Sequence, residues 1–141
     1  MNGPKAKILL AEDNPGDVFL VSRALEKHHV DADLEVVQDG QAALRIVDRA
    51  DADEQAFSPD LVLLDLNLPR ANGSRILQRI RQSRKYAKTP IVVVTSSDSP
   101  VDRATAEQFG AAHYFQKPSD LASFMELGGI VRKLLADAAA A

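Results

Sequence analysis

The sequence predicts an open, doubly wound α/β domain built on a parallel sheet. Short apolar runs alternate with amphipathic stretches five times along the chain. The apolar runs are continuous and do not alternate with polar residues, the pattern of strands covered by helices on both faces. The 141 residues hold five such βα units, too few for a closed (β/α)8 barrel.

The first strand is Lys7–Ala11 (KILLA), which stops at Glu12-Asp13. Asn14-Pro15-Gly16-Asp17 then reads as a helix start. Asn14 caps, Pro15 suits the first helical position, and Asp17 stands three residues after the cap, close to a capping box. That helix carries Val18, Val21 and Leu25 on one face. Leu34–Gln38 is the second strand, closed by Asp39-Gly40, and Gln41–Arg49 is a second helix bearing Leu44, Ile46 and Val47. Ala50–Pro59 is polar and acidic and reads as a loop, part of which can extend the helix.

Leu61–Leu64 is a fully apolar third strand ending at Asp65, and Asn67–Gly73 is rich in helix and strand breakers. Ser74–Arg84 is a third helix that buries Ile76, Leu77 and Ile80. Pro90–Val94 is the fourth strand, followed by Thr95-Ser96-Ser97, and Ser99-Pro100 opens a fourth helix that stops at Gly110. Ala111–Phe115 is the fifth strand. Lys117-Pro118-Ser119-Asp120 leads into a last helix, and Ala138–Ala141 reads as a tail. The expected winding is the flavodoxin-like order 2-1-3-4-5. Residues 1–141 read as one domain with its core at about 5–136, and no output domain is expected after the last helix.

Composition narrows the function classes. Apolar residues at 45% and charged residues at 26% fit a globular chain with one core. Seventeen Lys and Arg against twenty Asp and Glu give a net charge of −3, which argues against binding nucleic acid through bulk charge. The basic run Arg75, Arg79, Arg81, Arg84, Lys85 and Lys88 reads as a solvated helix face, so no nucleic-acid partner is expected. With no cysteine, thiolate catalysis, disulfides and Cys-based metal sites are excluded. No apolar run approaches the ~20 residues of a membrane span, and the start MNGPKAK is polar, so a cytoplasmic protein is expected. His28 and His29 are adjacent and point about 100° apart on a helix, and His113 is isolated, so the histidines form no metal site.

In an open α/β sheet the ligand site lies beyond the carboxyl ends of the strands, at the switch point of the winding. Glu12, Asp13, Asp65, Thr95 and Lys117 all stand just past strand ends, whereas strand two offers only Gln38 and Asp39 off to one side. Three converging carboxylates repel and call for a cation. A hard divalent ion with oxygen ligands satisfies them, and Mg²⁺ suits a site with few carboxylates. Carboxylate, Mg²⁺, lysine and hydroxyl together suit a transferring phosphoryl group, and one carboxylate could itself be the nucleophile.

The pair Glu12-Asp13, Asp65 in LVLLDLNLP, Thr95 in VVVTSS and Lys117-Pro118 together resemble a response-regulator receiver domain, over roughly residues 5–136. The resemblance implies that Asp65 accepts a phosphoryl group from the phosphohistidine of a sensor histidine kinase. It implies that Asp13, Asp65 and the backbone carbonyl of Asn67 bind Mg²⁺ directly, with Glu12 acting through water. Lys117 would hold one phosphoryl oxygen and Thr95 would close on another. Tyr114 matches the aromatic switch that turns inward with Thr95, altering the face of helix four, strand five and helix five. Such a receiver is not an enzyme in the usual sense. Its output would be another protein, a further phosphotransfer step or the draining of phosphate from the kinase.

Asn14-Pro15-Gly16-Asp17 and Asp65–Arg70 further resemble the single-domain regulators of phytochrome-type light-sensing kinases. Two positions depart from the family pattern: Asn72 replaces the usual Asp before Gly73, and Ser96 follows Thr95 where Ala is commoner. Two other classes compete. A Mg²⁺-dependent aspartyl-phosphate phosphohydrolase would want an acid where Asn67 stands, and an interaction module independent of phosphorylation would not need Asp13, Asp65 and Lys117 together. The last helix carries Phe124, Met125, Leu127, Ile130, Val131, Leu134 and Leu135, more apolar surface than one core stripe needs, so a homodimer through this helix and strand five is expected. Gly128-Gly129 either marks a break in that helix or admits another chain closely. Asn67 and the small Ser97 flank the route of attacking water, so a phosphoryl lifetime of minutes is expected.

Overall fold

A computed structural model describes residues 5–56 and 58–140. Five strands, β1 (Ala6–Ala11), β2 (Ala32–Val37), β3 (Leu61–Leu64), β4 (Ile91–Thr95) and β5 (His113–Gln116), alternate with five helices. These are α1 (Pro15–Lys27), α2 (Gly40–Ala52), α3 (Gly73–Gln82), α4 (Pro100–Gln108) and α5 (Leu121–Ala140). All strand pairs are parallel and the sheet order is β2-β1-β3-β4-β5. The expected winding is the observed one.

Side chains alternate across a strand, so each apolar run feeds two cores. Leu9, Ala11, Val62, Leu64, Ile91 and Val93 face α2, α3 and α4, while Ile8, Leu10, Leu61, Leu63, Val92 and Val94 face α1 and α5. Helix starts are fixed by side-chain caps. Asn14, Asp39, Asn72 and Ser99 each accept a backbone N–H from the first turn of α1, α2, α3 and α4. Asn72, which replaces the usual acid, therefore serves as the α3 cap by accepting from the Arg75 amide at 2.9 Å.

Several boundaries differ from the sequence reading. β2 begins at Ala32 because residues 32 to 37 pair along the whole of β1, although Asp33 and Glu35 face solvent on this edge strand. α2 continues to Ala52, and α3 ends at Gln82, where Ser83 is extended. β4 includes Thr95 and β5 starts only at His113. Ala138–Ala140 are helical and not a tail, as alanine's helix propensity favours once α5 is under way; Ala141 and residues 1–4 lie outside the described residues. Val18 and Ile46 are only half-buried, whereas Val21, Leu25, Leu44 and Val47 are core.

The basic run of α3 is less solvated than its composition implies. Arg79 pairs with Asp48 and Asp51 at 2.8 Å each, tying α3 to α2. Arg81 donates to the carbonyls of Phe109, Gly110, Ala87 and Thr89. It thus closes the end of α4 against the segment before β4.

α5 is continuous through Gly128-Gly129, and the close neighbour is α1 of the same chain. A Cβ at Gly128 would overlap the backbone carbonyl of Ala24, so only glycine lets the helices approach to this distance. Gly129 lies against the His28 ring, where a Cβ would sit 3.2 Å from Cε1. Phe124, Met125, Leu127 and Val131 are buried in the α1 side of the core, with Ile130, Leu134 and Leu135 packed beside them. Replacement of Gly128 by Ala should therefore destabilise the fold by about 1–3 kcal/mol through overpacking. Gly129→Ala should be neutral or gain up to about 1 kcal/mol of helix propensity. Thermal unfolding of the two variants reads this contrast; equal effects would contradict the close α1–α5 crossing.

Candidate functional site

The backbone ladder sets the site one residue beyond the strands. The Glu12 amide donates to Val37 O at 2.9 Å, the Asp65 amide to Ala11 O at 3.0 Å and the Lys117 amide to Thr95 O at 2.8 Å. Each functional residue is thereby held by its neighbouring strand although its own strand has ended. Ala11 pairs with Leu64, which sets Glu12 and Asp65 side by side across the switch point between β1 and β3.

Lys117 reaches into this acidic rim from beyond β5. Its Nζ lies 2.7 Å from Glu12 Oε1, 2.8 Å from Asp17 Oδ2 and 3.0 Å from Asp65 Oδ2. The second oxygen of Glu12 accepts the Asn14 amide at 3.1 Å, and the second oxygen of Asp65 accepts the Asn67 amide at 3.0 Å. Glu12 and Asp65 are buried, while Asp13 is exposed. Burial opposes the charge on Lys117, but its hydrogen bonds to Asp17 and Glu12 and the charge of Asp65 outweigh that and hold the ammonium above its ordinary pKa. Burial pushes the Glu12 carboxyl up, partly offset by the hydrogen bond from Lys117.

Glu12, Asp13 and Asp65 each offer a carboxylate oxygen, and these lie within 4.8 Å of one another. Hard oxygen donors at this spacing fit a small divalent cation, whose charge would offset a rim where three acids share one ammonium. Asp13 is exposed, so the donor set can be reached from solvent through it.

Thr95 is fully buried at the end of β4. Its Oγ1 accepts from Asn67 Nδ2 at 3.1 Å and from the Ser97 amide at 3.3 Å. Tyr114, half-buried on β5, donates its hydroxyl to Ser97 O at 2.8 Å. The Arg103 guanidinium of α4 lies over the Tyr114 ring, 4.4 Å from its centroid. Thr95 and Tyr114 thus meet the same turn from opposite sides, Thr95 at the Ser97 amide and Tyr114 at its carbonyl. The chain matches the family model for the response regulator receiver domain over residues 8–127.

The chain belongs to the response regulator receiver family. It is similar to response regulator Rcp1 of Synechocystis, 32% identical over 126 residues that cover 89% of this chain and 85% of Rcp1. It is also similar to the transcriptional regulatory protein TrcR of Mycobacterium tuberculosis, 36% identical over 133 residues and 94% of this chain. The receiver spans about half (48%) of TrcR's length. Among solved structures, the phosphorylated cyanobacterial phytochrome response regulator RcpA superposes with a TM-score of 0.84 at 30% identity, covering 95% of this chain and 96% of that one. The Mn²⁺-bound form of Rcp1 gives 0.81 at 31% identity, covering 92% and 94%.

Of the residues singled out from the sequence, Glu12, Asp13, Asp65, Asn67, Thr95 and Lys117 come together in this receiver, with Tyr114 one turn away. Asp17, which its local sequence presents as a helix-capping acid, is a direct partner of Lys117. Its place in the first turn of α1, immediately after the acidic pair, was the signal available.

Replacing Lys117 by Met leaves Glu12 buried without its cation and should cost about 2–4 kcal/mol at pH 8. The sign follows from Glu12, whose carboxyl is raised in the folded state and rises further without the ammonium. Such an acid destabilises the fold above its folded-state pKa and loses that penalty as the pH falls through it. Chemical denaturation at pH 8 and pH 5 should therefore show the deficit of the variant shrinking at the lower pH.

Proposed function

We propose that this receiver accepts a phosphoryl group on Asp65 from the phosphohistidine of a sensor histidine kinase and passes the signal on through a changed protein surface. The observation that carries the reading is the contact of the Lys117 ammonium with Asp65 inside the acidic rim, a nucleophile and an oxyanion partner set side by side. Asp65 would attack phosphorus with one carboxylate oxygen; the P–O bond forms as the P–N bond breaks and the imidazole takes the electron pair. Lys117 would bind one phosphoryl oxygen. Asp13, Asp65 and the Asn67 carbonyl are the residues proposed to hold Mg²⁺ directly, with Glu12 acting through water. The ion, when bound, would neutralise the rim and the developing phosphoryl charge.

Switching would follow from Thr95. For its hydroxyl to reach a phosphoryl oxygen it exchanges the Asn67 amide for that oxygen, and the Ser97 turn moves with it. Tyr114, bonded to the Ser97 carbonyl, is then released or drawn inward, and Arg103 loses its seat on the ring. The face of α4, β5 and α5 is the surface that changes, and a downstream protein or phosphotransfer partner would read it.

The kinase is proposed to be of the phytochrome type, supported by the similarity to Rcp1 and RcpA over most of each chain. We read the chain as a receiver that acts in the cytoplasm and without nucleic acid as a partner, and as a signalling protein, not an enzyme in the usual sense. The described residues contain no helix long and apolar enough to cross a membrane. Pairing of two copies through α5 and the free edge of β5 is supported by the half-buried Leu134 and Leu135 and the exposed Leu121. Sedimentation at high micromolar concentration should show a dimer; a monomer with and without phosphoryl would overturn this assembly.

Incubation with Mg²⁺ and acetyl phosphate should add one phosphoryl group to the wild type and none to Asp65→Asn, read by intact mass. The phosphoryl should then decay over minutes. Unmodified wild type would overturn the phosphoryl-acceptor reading, and retention for days would overturn the assigned water route.

A further inference from the structure

We propose that Asp17 is a positioning residue that holds Lys117 away from an incoming phosphoryl group and so slows the loading of Asp65. The inference rests on the phosphoryl-acceptor reading above and adds a control on its rate. An ammonium has three N–H donors. In this receiver all three have carboxylate acceptors, Glu12 at 2.7 Å, Asp17 at 2.8 Å and Asp65 at 3.0 Å. A phosphoryl oxygen can be held by Lys117 only if one of these bonds is given up.

The three partners differ in how readily they release it. Glu12 is buried, its side chain 2% exposed, and its other oxygen is engaged by the Asn14 amide. Without the ammonium it would be a buried carboxylate with no cation, a costly state. Asp65 is the reacting group, and it keeps its charge, and with it its hold on Lys117, until the P–O bond forms. Asp17 has a side chain 24% exposed, so water can replace the ammonium there. Asp17 is therefore the partner that yields. Its own position is fixed, because its amide donates to the Asn14 side chain at 3.1 Å in the cap of α1.

Asp17 opposes the phosphoryl group in a second way. Its carboxylate lies within one ammonium of the acceptor, and like charges at that range repel in a partly desolvated site. Both effects act in the same direction. Asp17→Asn keeps the size of the side chain and the helix start, removes the charge and leaves a weaker, neutral acceptor for Lys117.

The test compares wild type, Asp17→Asn and Asp17→Glu in saturating Mg²⁺, by initial loading rate from acetyl phosphate and by affinity for beryllofluoride, a phosphoryl mimic. Removal of one partly exposed charge pair is worth roughly a fivefold change. Asp17→Asn should load about fivefold faster and bind beryllofluoride about fivefold more tightly, with its melting temperature lowered by no more than about 4 °C. Asp17→Glu, which restores the charge, should return both toward wild type. A merely structural residue would lower the melting temperature and weaken both. Equal or slower loading by Asp17→Asn, with a wild type that loads normally, overturns the proposal and leaves the acceptor reading intact. A wild type that takes no phosphoryl at all overturns both.

Discussion

A single ammonium sits among three carboxylates at the carboxyl edge of the sheet, and the remainder of the molecule can be understood as what holds it there. Lys117 stands at the end of β5, Glu12 at the end of β1 and Asp65 at the end of β3, with Asp17 contributed by the first turn of α1. None of these groups is stable in its place alone. Glu12 and Asp65 are buried acids that need a cation, and Lys117 is a partly buried cation that needs acids. Their mutual contact makes the rim tolerable, and the exposed Asp13 beside it leaves a negative side open to a divalent ion.

That geometry requires a parallel sheet with a switch point. Only when β1 and β3 are neighbours do Glu12 and Asp65 meet, and only when β5 follows β4 at the far edge does Lys117 approach from the other side. The apolar strand interiors make the arrangement rigid, because both faces of every central strand are packed. The α1–α5 crossing matters for the same reason. Gly128 lets α5 lie directly on the backbone of α1, which fixes the helix whose first turn carries Asp17 relative to the one that follows Lys117.

Most of this was legible in the sequence because it depends on local signals. Continuous apolar runs ending in Glu12-Asp13, in Asp65 and in Thr95 gave both the strands and the places where their chemistry begins. What stayed hidden was long-range. Asp17 looks like a capping acid from its neighbours, and its bond to Lys117 joins residues far apart in the chain, beyond the reach of any local pattern. The apolar stripe of α5 divides in a way its spacing does not show: α1 covers Phe124, Met125, Leu127 and Val131, while Leu134 and Leu135 stay half-buried and Leu121 exposed. Arg81 looks like one of several solvated cations, yet its guanidinium is committed to the carbonyls of Phe109 and Gly110 at the end of α4 and of Thr89 before β4. The start of β2 is hidden in the sequence because its pairing to β1 is made by backbone groups, which a polar Asp33 does not advertise.

The proposed coupling of chemistry to signal runs through one turn. Thr95 touches the Ser97 amide and Tyr114 touches the Ser97 carbonyl, so a shift of the threonine hydroxyl is felt at the tyrosine without any intermediate side chain. Arg103 links that tyrosine to α4, so the proposed switch would place an electrostatic contact on the outer surface under the control of the buried hydroxyl. The central claim, that Lys117 is held by the rim acids and turns to an arriving phosphoryl group, is tested most directly by nitrogen-15 NMR of the lysine side chains. The account predicts a Lys117 ammonium signal protected from solvent exchange in the free protein, which moves when Mg²⁺ and beryllofluoride are added together. An ammonium that exchanges like the surface lysines, or one that ignores beryllofluoride, would contradict it.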